Sequence, residues 1–222
     1  MAAPPPPPSI QNVVTTLTSG ANLHLPTVVR RLSRTYGCEY NPKRFAAITV
    51  RIKESNNAHG LTATALFFRS GKIVCTGARS VALSRWALIR FVSIMRSIGF
   101  PVCMRGYDVQ NMVANTSVGK QIDLRRMADA HMLNCNYEPE QFPGLVFRVR
   151  DSKQVCLLFE SGQVVITGAK KHAHVTRAFR MVYPIMMQFV YEQPVRKLQT
   201  VDMDLCSEFE SDDDEDDPPG RR

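Results

Sequence analysis

The stretch Ser70-Gly71-Lys72-Ile73-Val74-Cys75-Thr76-Gly77-Ala78 returns later in the chain as Ser161-Gly162-Gln163-Val164-Val165-Ile166-Thr167-Gly168-Ala169. Two upstream segments repeat in the same order. Gln11-Asn12-Val13-Val14 returns as Gln110-Asn111-Met112-Val113, and Tyr40-Asn41-Pro42-Lys43-Arg44-Phe45 returns as Tyr137-Glu138-Pro139-Glu140-Gln141-Phe142. Three ordered matches mean that one structural unit is written twice. The copies are offset by 99, then 97, then 91 residues, and an extra polar stretch in the first copy, Ser55 to Gly60, accounts for the last drop. A duplicated unit predicts a pseudo-twofold molecule, with a first repeat over 10–104 and a second over 105–200.

Each copy carries the same coarse elements. A β-run around Asn12 leads to a helix from about Leu25 to Arg34, followed by strands near Phe45 to Lys53, Thr62 to Arg69 and Lys72 to Gly77. The Ser-Gly pairs at 70–71 and 161–162 read as hairpin turns in which glycine supplies a positive φ. Ser80 can cap a long helix reaching about Ile98, with Val81, Trp86, Ile89, Val92 and Met95 at a spacing of three to four. Its counterpart runs from about His174 to Phe189, and Pro184 must end or kink it.

The ends of the chain differ from this body. Residues 1–9, with Pro4 to Pro8 in a row, read as an extended or disordered proline-rich segment. Residues 201–222 read as a disordered acidic tail, since the run Asp212 to Asp217 repels itself. Ten of the twenty acidic residues lie between Asp202 and Asp217, so removing 202–222 turns a formal charge of +8 into a body with 26 Lys and Arg against 10 Asp and Glu. A body that basic is suited to a polyanion. The tail is expected either to compete with that polyanion for the basic underside or to act as a passive solubility element.

Other function classes find little support. No stretch approaches the roughly 20 apolar residues of a membrane helix, and the proline run stands where a signal peptide would have a charged and then an apolar region. A soluble intracellular protein is expected. Cys38, Cys75, Cys103, Cys135, Cys156 and Cys206 form no CxxC pair and read as reduced thiols. His172 and His174 lack further ligands in register, so neither a metal nor any other cofactor is expected. No paired carboxylates and no Ser/His/Asp or Cys/His set can be brought together, which argues against an enzyme.

The faces of the sheet carry the functional reading. Side chains alternate along a strand, so Ala46, Ile48, Val50 and Ile52 share a buried face with Ala65, Phe67, Ile73 and Cys75. The opposite face of a one-sided sheet should be polar, yet it carries Val14, Phe45, Ala47, Leu66, Phe68, Val74 and Thr76, and in the second copy Val113, Phe142, Val146, Val155, Leu157, Phe159, Val165 and Thr167. Something must cover it. A second protein layer is one cover, although two helices per repeat are all needed on the first face. The floor of a DNA minor groove is the other. Asn12, Asn111, Thr76 and Thr167 can meet the adenine N3 and thymine O2 acceptors there, whereas a guanine amino group would clash or go unpaired. Phe45 with Phe68, and Phe142 with Phe159, would lie as two pairs at the ends of the sheet. Aromatic wedges there can unstack a base step at a cost of about a few kcal/mol. Arg44, Arg51, Arg69, Lys72, Arg148 and Lys170 suit phosphate contacts.

At these residues the sequence resembles the TATA-box-binding protein family. The similarity runs through QNVV, EYNPKRFAAI, TALFFRSGKIVCTGAR, IGFP, VQNMV, YEPEQFPGL, LLFESGQVVITGAK and YPIM, over about residues 10 to 191. The resemblance implies an α+β saddle: one curved antiparallel ten-stranded sheet of two pseudo-symmetric repeats, with helices on its convex face. It implies binding of the TATA element by the concave face, with intercalation by Phe45, Phe68, Phe142 and Phe159. Asn12, Val14, Leu66, Val74, Thr76, Asn111, Val113, Val155, Leu157, Val165 and Thr167 are then the minor-groove residues. It further implies contacts with TFIIB-like factors through Glu138 and Glu140, with TFIIA-like factors and with TBP-associated factors, and the basic helix with Arg85, Arg90 and Arg96 resembles the face that meets other initiation factors and the negative cofactor. A nuclear protein, and a homodimer through the uncovered concave face when DNA is absent, are also implied. Gln141 stands where the family has leucine and Gln163 where it has lysine. With the Ser55 to Gly60 insertion and Ala114-Asn115-Thr116, these departures point to a divergent lineage or to a paralogue that serves mainly as a scaffold with weak TATA preference.

Overall fold

The computed structural model describes residues 6–54 and 61–191. The expected Ser55 to Gly60 loop, the acidic tail, Cys206 and the first five residues lie outside the described residues.

Among the described residues ten strands form one antiparallel sheet: β1 (Ser9–Thr18), β2 (Cys38–Glu39), β3 (Ala47–Glu54), β4 (Leu61–Phe68), β5 (Lys72–Ala78), β6 (Arg105–Ser117), β7 (Cys135–Asn136), β8 (Leu145–Arg148), β9 (Val155–Leu158) and β10 (Gln163–Ala169). Their spatial order is β2-β3-β4-β5-β1-β6-β10-β9-β8-β7, which reads as the same five-strand unit from either edge to the middle. The duplicated sequence thus becomes a duplicated fold, joined where β1 pairs with β6. In that ladder Asn12 opposes Val113, Val13 opposes Met112 and Val14 opposes Asn111. The pseudo-dyad therefore passes through the Val13–Met112 step.

Among the described residues four helices lie on one face: α1 (Leu25–Leu32), α2 (Val81–Ser97), α3 (Leu124–Ala130) and α4 (His172–Met186), the last running into a 3-10 turn over Met187–Phe189. Ser80 caps α2, its side chain accepting from the Leu83 N–H at 3.1 Å, and Asp123 caps α3 by accepting from Arg126 N–H at 3.0 Å. α1 ends at Leu32, two residues before the expected stop. Pro184 sits two residues before the end of α4, where the α-helix tightens into the 3-10 turn, so the proline acts at the terminus of the helix.

Two apolar clusters fill the space between sheet and helices. Leu17, Ile48, Val50, Phe67, Ile73, Leu88, Phe91 and Met95 belong to the first, with Phe67 and Phe91 edge to face at 6.1 Å. Leu145, Phe147, Leu158, Val164, Ile166, Val175 and Val182 belong to the second. The expected spacing on α2 picked part of the wrong stripe. Val81 and Ile89 are 39% and 48% exposed, while Ala87, Leu88, Phe91 and Met95 face the sheet. The helix is apolar on nearly every side, so spacing alone does not select a face.

Two more local readings change. Ala46 precedes β3 and is exposed, and it is Ala47 that is buried. Residues 6–9 are also tied to the body: Ser9 opens β1, Pro8 is buried, and the Pro6 carbonyl accepts from the Thr116 hydroxyl at 2.7 Å.

Candidate nucleic-acid interface

Among the described residues the face opposite the helices has no covering layer, and its centre is set by four β-bulges. Between β1 and β5 the pairing jumps from Val13–Ala78 to Thr15–Cys75, leaving an extra residue at Thr76–Gly77. Between β6 and β10 it jumps from Met112–Ala169 to Ala114–Ile166, leaving an extra residue at Thr167–Gly168. In the central ladder the extra residues beside the dyad are Gln11 and Gln110, and a third shift lies farther out, between Thr16 and Thr18. Bulges deepen the local twist and free backbone groups from the ladder.

The freed groups orient two asparagines. The Gly77 N–H donates to Asn12 Oδ1 at 2.8 Å, and the Gly168 N–H donates to Asn111 Oδ1 at the same distance. Both glycines have positive φ, +96° and +82°, which suits glycine. A backbone N–H can only donate, so the oxygen of each amide is identified and the NH2 is directed away from it. Each NH2 donates one hydrogen to a threonine hydroxyl, Asn12 to Thr76 at 3.0 Å and Asn111 to Thr167 at 3.1 Å. The second hydrogen of each amide has no partner among the described residues. The site thus offers outward N–H donors at two symmetry-related points.

Apolar side chains flank these donors. Val14 and Val113 lie beside them on β1 and β6. Leu66 pairs with Val74, and Leu157 with Val165. Val155 pairs with Thr167, and Thr64 pairs with Thr76. All of these side chains are half-buried. Three polar residues that the sequence reading passed over share this face: Thr49, Thr64 and Asn115. Strand parity counted outward from Asn111 and Leu66 reaches each of them. Asn115 Oδ1 accepts from the Gln11 amide at 2.8 Å, so Asn12 and Asn111 are not the only amides near the centre.

The phenylalanines fall as two pairs. Phe45 and Phe68 stand edge to face with centroids 6.0 Å apart, and Phe142 and Phe159 with centroids 5.9 Å apart. Phe68 closes β4 and Phe159 follows directly on β9, and they open the turns to Gly71 and Gly162, whose N–H groups donate back to the Phe68 and Phe159 carbonyls at 2.9 and 2.8 Å. Phe45 and Phe142 precede β3 and β8 and are 47% and 38% exposed. Large aromatic rings this open in a strand-rich face are available to a partner. Beneath the second pair lies Gly144, where a Cβ would come within 2.7 Å of Phe142 Cε1 and 3.0 Å of Phe159 Cε1. The matching position under the first pair is Ala47.

The six candidate phosphate contacts are all exposed. Arg44 lies in the turn before β3 and Arg69 in the turn after β4. Lys72 starts β5, and Arg51 and Arg148 occupy matching places on β3 and β8. Two of the six are in ion pairs: Arg51 with Glu39 at 3.6 Å, and Lys170 with Asp108 at 3.0 Å. The hydrogen bond from Lys170 holds the Asp108 carboxyl below the usual range. Glu138 and Glu140 are exposed in the loop before β8, and the Glu138 carbonyl caps that loop by accepting from Gln141 and Phe142. On α2, Arg85 and Arg90 are exposed, and Arg96 donates to the Val102 carbonyl at 2.7 Å.

Among the described residues no group of three or more His, Cys, Asp or Glu is placed to hold a metal, and no helix is long and apolar enough to cross a membrane. The five described cysteines are free thiols. Burial pushes Cys75 and Cys135 up to about 11 and Cys156 up to about 12, so all three stay protonated near neutrality.

Known proteins are similar to this chain over most of its length. The family model described as transcription factor TFIID (or TATA-binding protein, TBP) matches residues 7–98 and 106–189. The TATA-box-binding protein of Acetabularia peniculus is 42% identical over 182 residues, covering 82% of this chain and 91% of that protein. TATA-box-binding protein 2 of Entamoeba histolytica is 41% identical over 180 residues, covering 81% of each. Among solved structures, Methanococcus jannaschii TBP superposes with a TM-score of 0.68 at 33% identity, covering 82% of this chain and 99% of that one.

Proposed function

The chain belongs to the TFIID, or TATA-binding protein, family, and from that membership we propose that it is a general transcription factor that binds TATA-like promoter DNA. The duplex lies along the open face of the sheet with its minor groove inward. This family is itself a standard example of minor-groove binding with apolar wedges. The assignment is to a DNA-binding factor, not an enzyme.

The observation that carries this reading is the pair of oriented amides. Gly77 and Gly168 hold the oxygens of Asn12 and Asn111, leaving an N–H of each free to donate outward. Adenine N3 and thymine O2 are acceptors, and at a G·C pair the guanine amino group would meet those donors with a donor. Valines and leucines around the amides suit the apolar sugar walls. Phe45 with Phe68 and Phe142 with Phe159 enter base steps at the two ends and kink the duplex, and Arg44, Arg51, Arg69, Lys72 and Arg148 meet phosphates.

The bound complex then nucleates assembly of initiation factors. Glu138 and Glu140, exposed beside the second aromatic pair, serve a TFIIB-like partner. Arg85, Arg90 and Arg96 on α2 serve other initiation factors, and TFIIA-like factors and TBP-associated factors join the same complex. The protein works in the nucleus, and its two repeats, over 10–104 and 105–200, each engage half of the DNA site.

Inosine substitution tests the groove. An inosine·cytosine pair keeps the G·C pattern in the major groove and lacks the 2-amino group in the minor groove. Duplexes with A·T, inosine·cytosine and G·C in the central steps should bind in two classes, the first two alike and the third weaker. If inosine·cytosine groups with G·C, the protein reads the other groove and the proposal fails.

A further inference from the structure

The pseudo-dyad relates most of the polar groups at the centre of the open face, and among those that Gln11 and Gln110 contact it is at one pair of positions that the charge differs. Gln11 donates to Ser9 Oγ at 3.2 Å and to Asn115 Oδ1 at 2.8 Å. Gln110, its counterpart, donates to Asp108 Oδ2 at 3.0 Å and to Thr16 Oγ1 at 2.8 Å. Asp108 therefore occupies the place of Ser9. The next residue of the array is cationic in both repeats, Arg79 in the first and Lys170 in the second. Lys170 donates to Asp108 Oδ2 at 3.0 Å and to Gln110 Oε1 at 3.3 Å. Among the described residues no carboxylate lies within ion-pairing distance of Arg79.

Lys170 is two residues beyond Gly168, whose N–H orients Asn111, so this cluster borders the donor array on one side only. A phosphate approaching there meets an ammonium already held by a carboxylate, and the two charges cancel. The same approach beside Arg79 meets an uncancelled cation. Phosphate affinity follows the cations that actually release counterions.

We propose that Asp108 is a positioning residue of this face: it holds the Lys170 ammonium off the DNA backbone and so weakens the sequence-independent grip on the second repeat's side of the dyad. This rests on the minor-groove reading above. Base readout is untouched, because the oriented amides belong to a separate hydrogen-bond set. The consequence is a protein whose hold on every duplex is lowered by the same factor, while its preference among base sequences is unchanged.

The test is a double-mutant cycle on the full chain, measured by fluorescence anisotropy with A·T and G·C-substituted duplexes over a range of salt. Asp108→Ser copies the first repeat. It should raise affinity for both duplexes by the same factor, about threefold or more at low salt, and steepen the salt dependence by about 0.9, the value for one further neutralised phosphate. Lys170→Ala should cost more in the Asp108→Ser background than in the wild type, and the double variant should lose the gain. A gain that survives in Asp108→Ser with Lys170→Ala would mean a general field effect of the lost charge and would overturn the proposal, as would an unchanged salt dependence in a folded single variant. The outcomes separate from those of the underlying reading: absence of A·T preference in the wild type sinks minor-groove readout, whereas a normal preference with no response at Asp108 sinks this inference alone.

Discussion

Asn111 sits directly opposite Val14 in the β1–β6 ladder, and half a turn about the dyad places Asn12 opposite Val113. Each donor is thus paired with an apolar neighbour across the central seam, and the two donors present the same pattern to a ligand approached from either end. Asn111→Ala should weaken binding to the A·T duplex by about tenfold or more, in the range of ~1–3 kcal/mol for one base contact. Asn12→Ala should do the same, because Gly77 and Thr76 repeat the partners that Gly168 and Thr167 supply. Equilibrium titration checks both. Loss at one asparagine alone would contradict symmetric readout.

Gly144 lies against the rings of Phe142 and Phe159, while Ala47 occupies the matching place under Phe45 and Phe68. A methyl group at 144 must displace an aromatic ring, since its Cβ would come within 2.7 Å of Phe142 Cε1. Gly144→Ala should therefore reduce DNA bending and destabilise the fold by about 1–3 kcal/mol, as overpacking does. Ala47→Gly adds no atom, so it should retain the bend. Energy transfer across end-labelled duplex, with denaturant melts alongside, separates the two effects.

The two sides of α2 make a stability prediction. Phe91 is fully buried and packs edge to face on Phe67, whereas Ile89 is 48% exposed. Phe91→Ala should cost about 3–5 kcal/mol, and Ile89→Ser should fall within about 0.5 kcal/mol of wild type. Urea unfolding of both variants reads this directly. A large loss at Ile89 would mean that the helix packs through the other stripe.

Burial pushes the Cys156 thiol up from 9.0 to about 12. The folded state therefore holds this proton more tightly than the unfolded chain, and its contribution to stability is constant below pH 9 and falls as pH rises from 9 towards 12. The slope is about 1.4 kcal/mol per pH unit for one fully shifted thiol. Comparing melts at pH 8 and pH 10.5 for the wild type and Cys156→Ala should show a steeper fall in the wild type. Equal falls would mean that other groups carry the alkaline destabilisation.

Much of this was legible in the sequence because the duplication prints each signal twice. The paired Asn12 and Asn111, the Ser-Gly turns and the four phenylalanines could be placed from strand parity and the repeat alone. The stripe on α2 could not, since an apolar helix gives its spacing no contrast and only packing against Phe67 selects the face. Ala47 was assigned to an open face by parity, yet it is buried; parity gives direction and says nothing about what lies above. The roles of Gly77 and Gly168 were hidden because a bulge depends on register between distant strands. The pairing of Asp108 with Lys170 had no signal in the sequence, since it needs β6 and β10 side by side.

The central claim is that the four phenylalanines work as wedges in a minor groove, and DNA bending measures it most directly. End-labelled duplexes with a TATA box or a G·C-substituted control, read by energy transfer, should show a sharp bend with the wild type on the TATA duplex only. Phe142→Ala combined with Phe159→Ala should abolish that bend and leave the fold intact. An unbent TATA duplex under a folded protein that still binds a TFIIB-like partner would contradict the account and favour a scaffold that has kept the saddle.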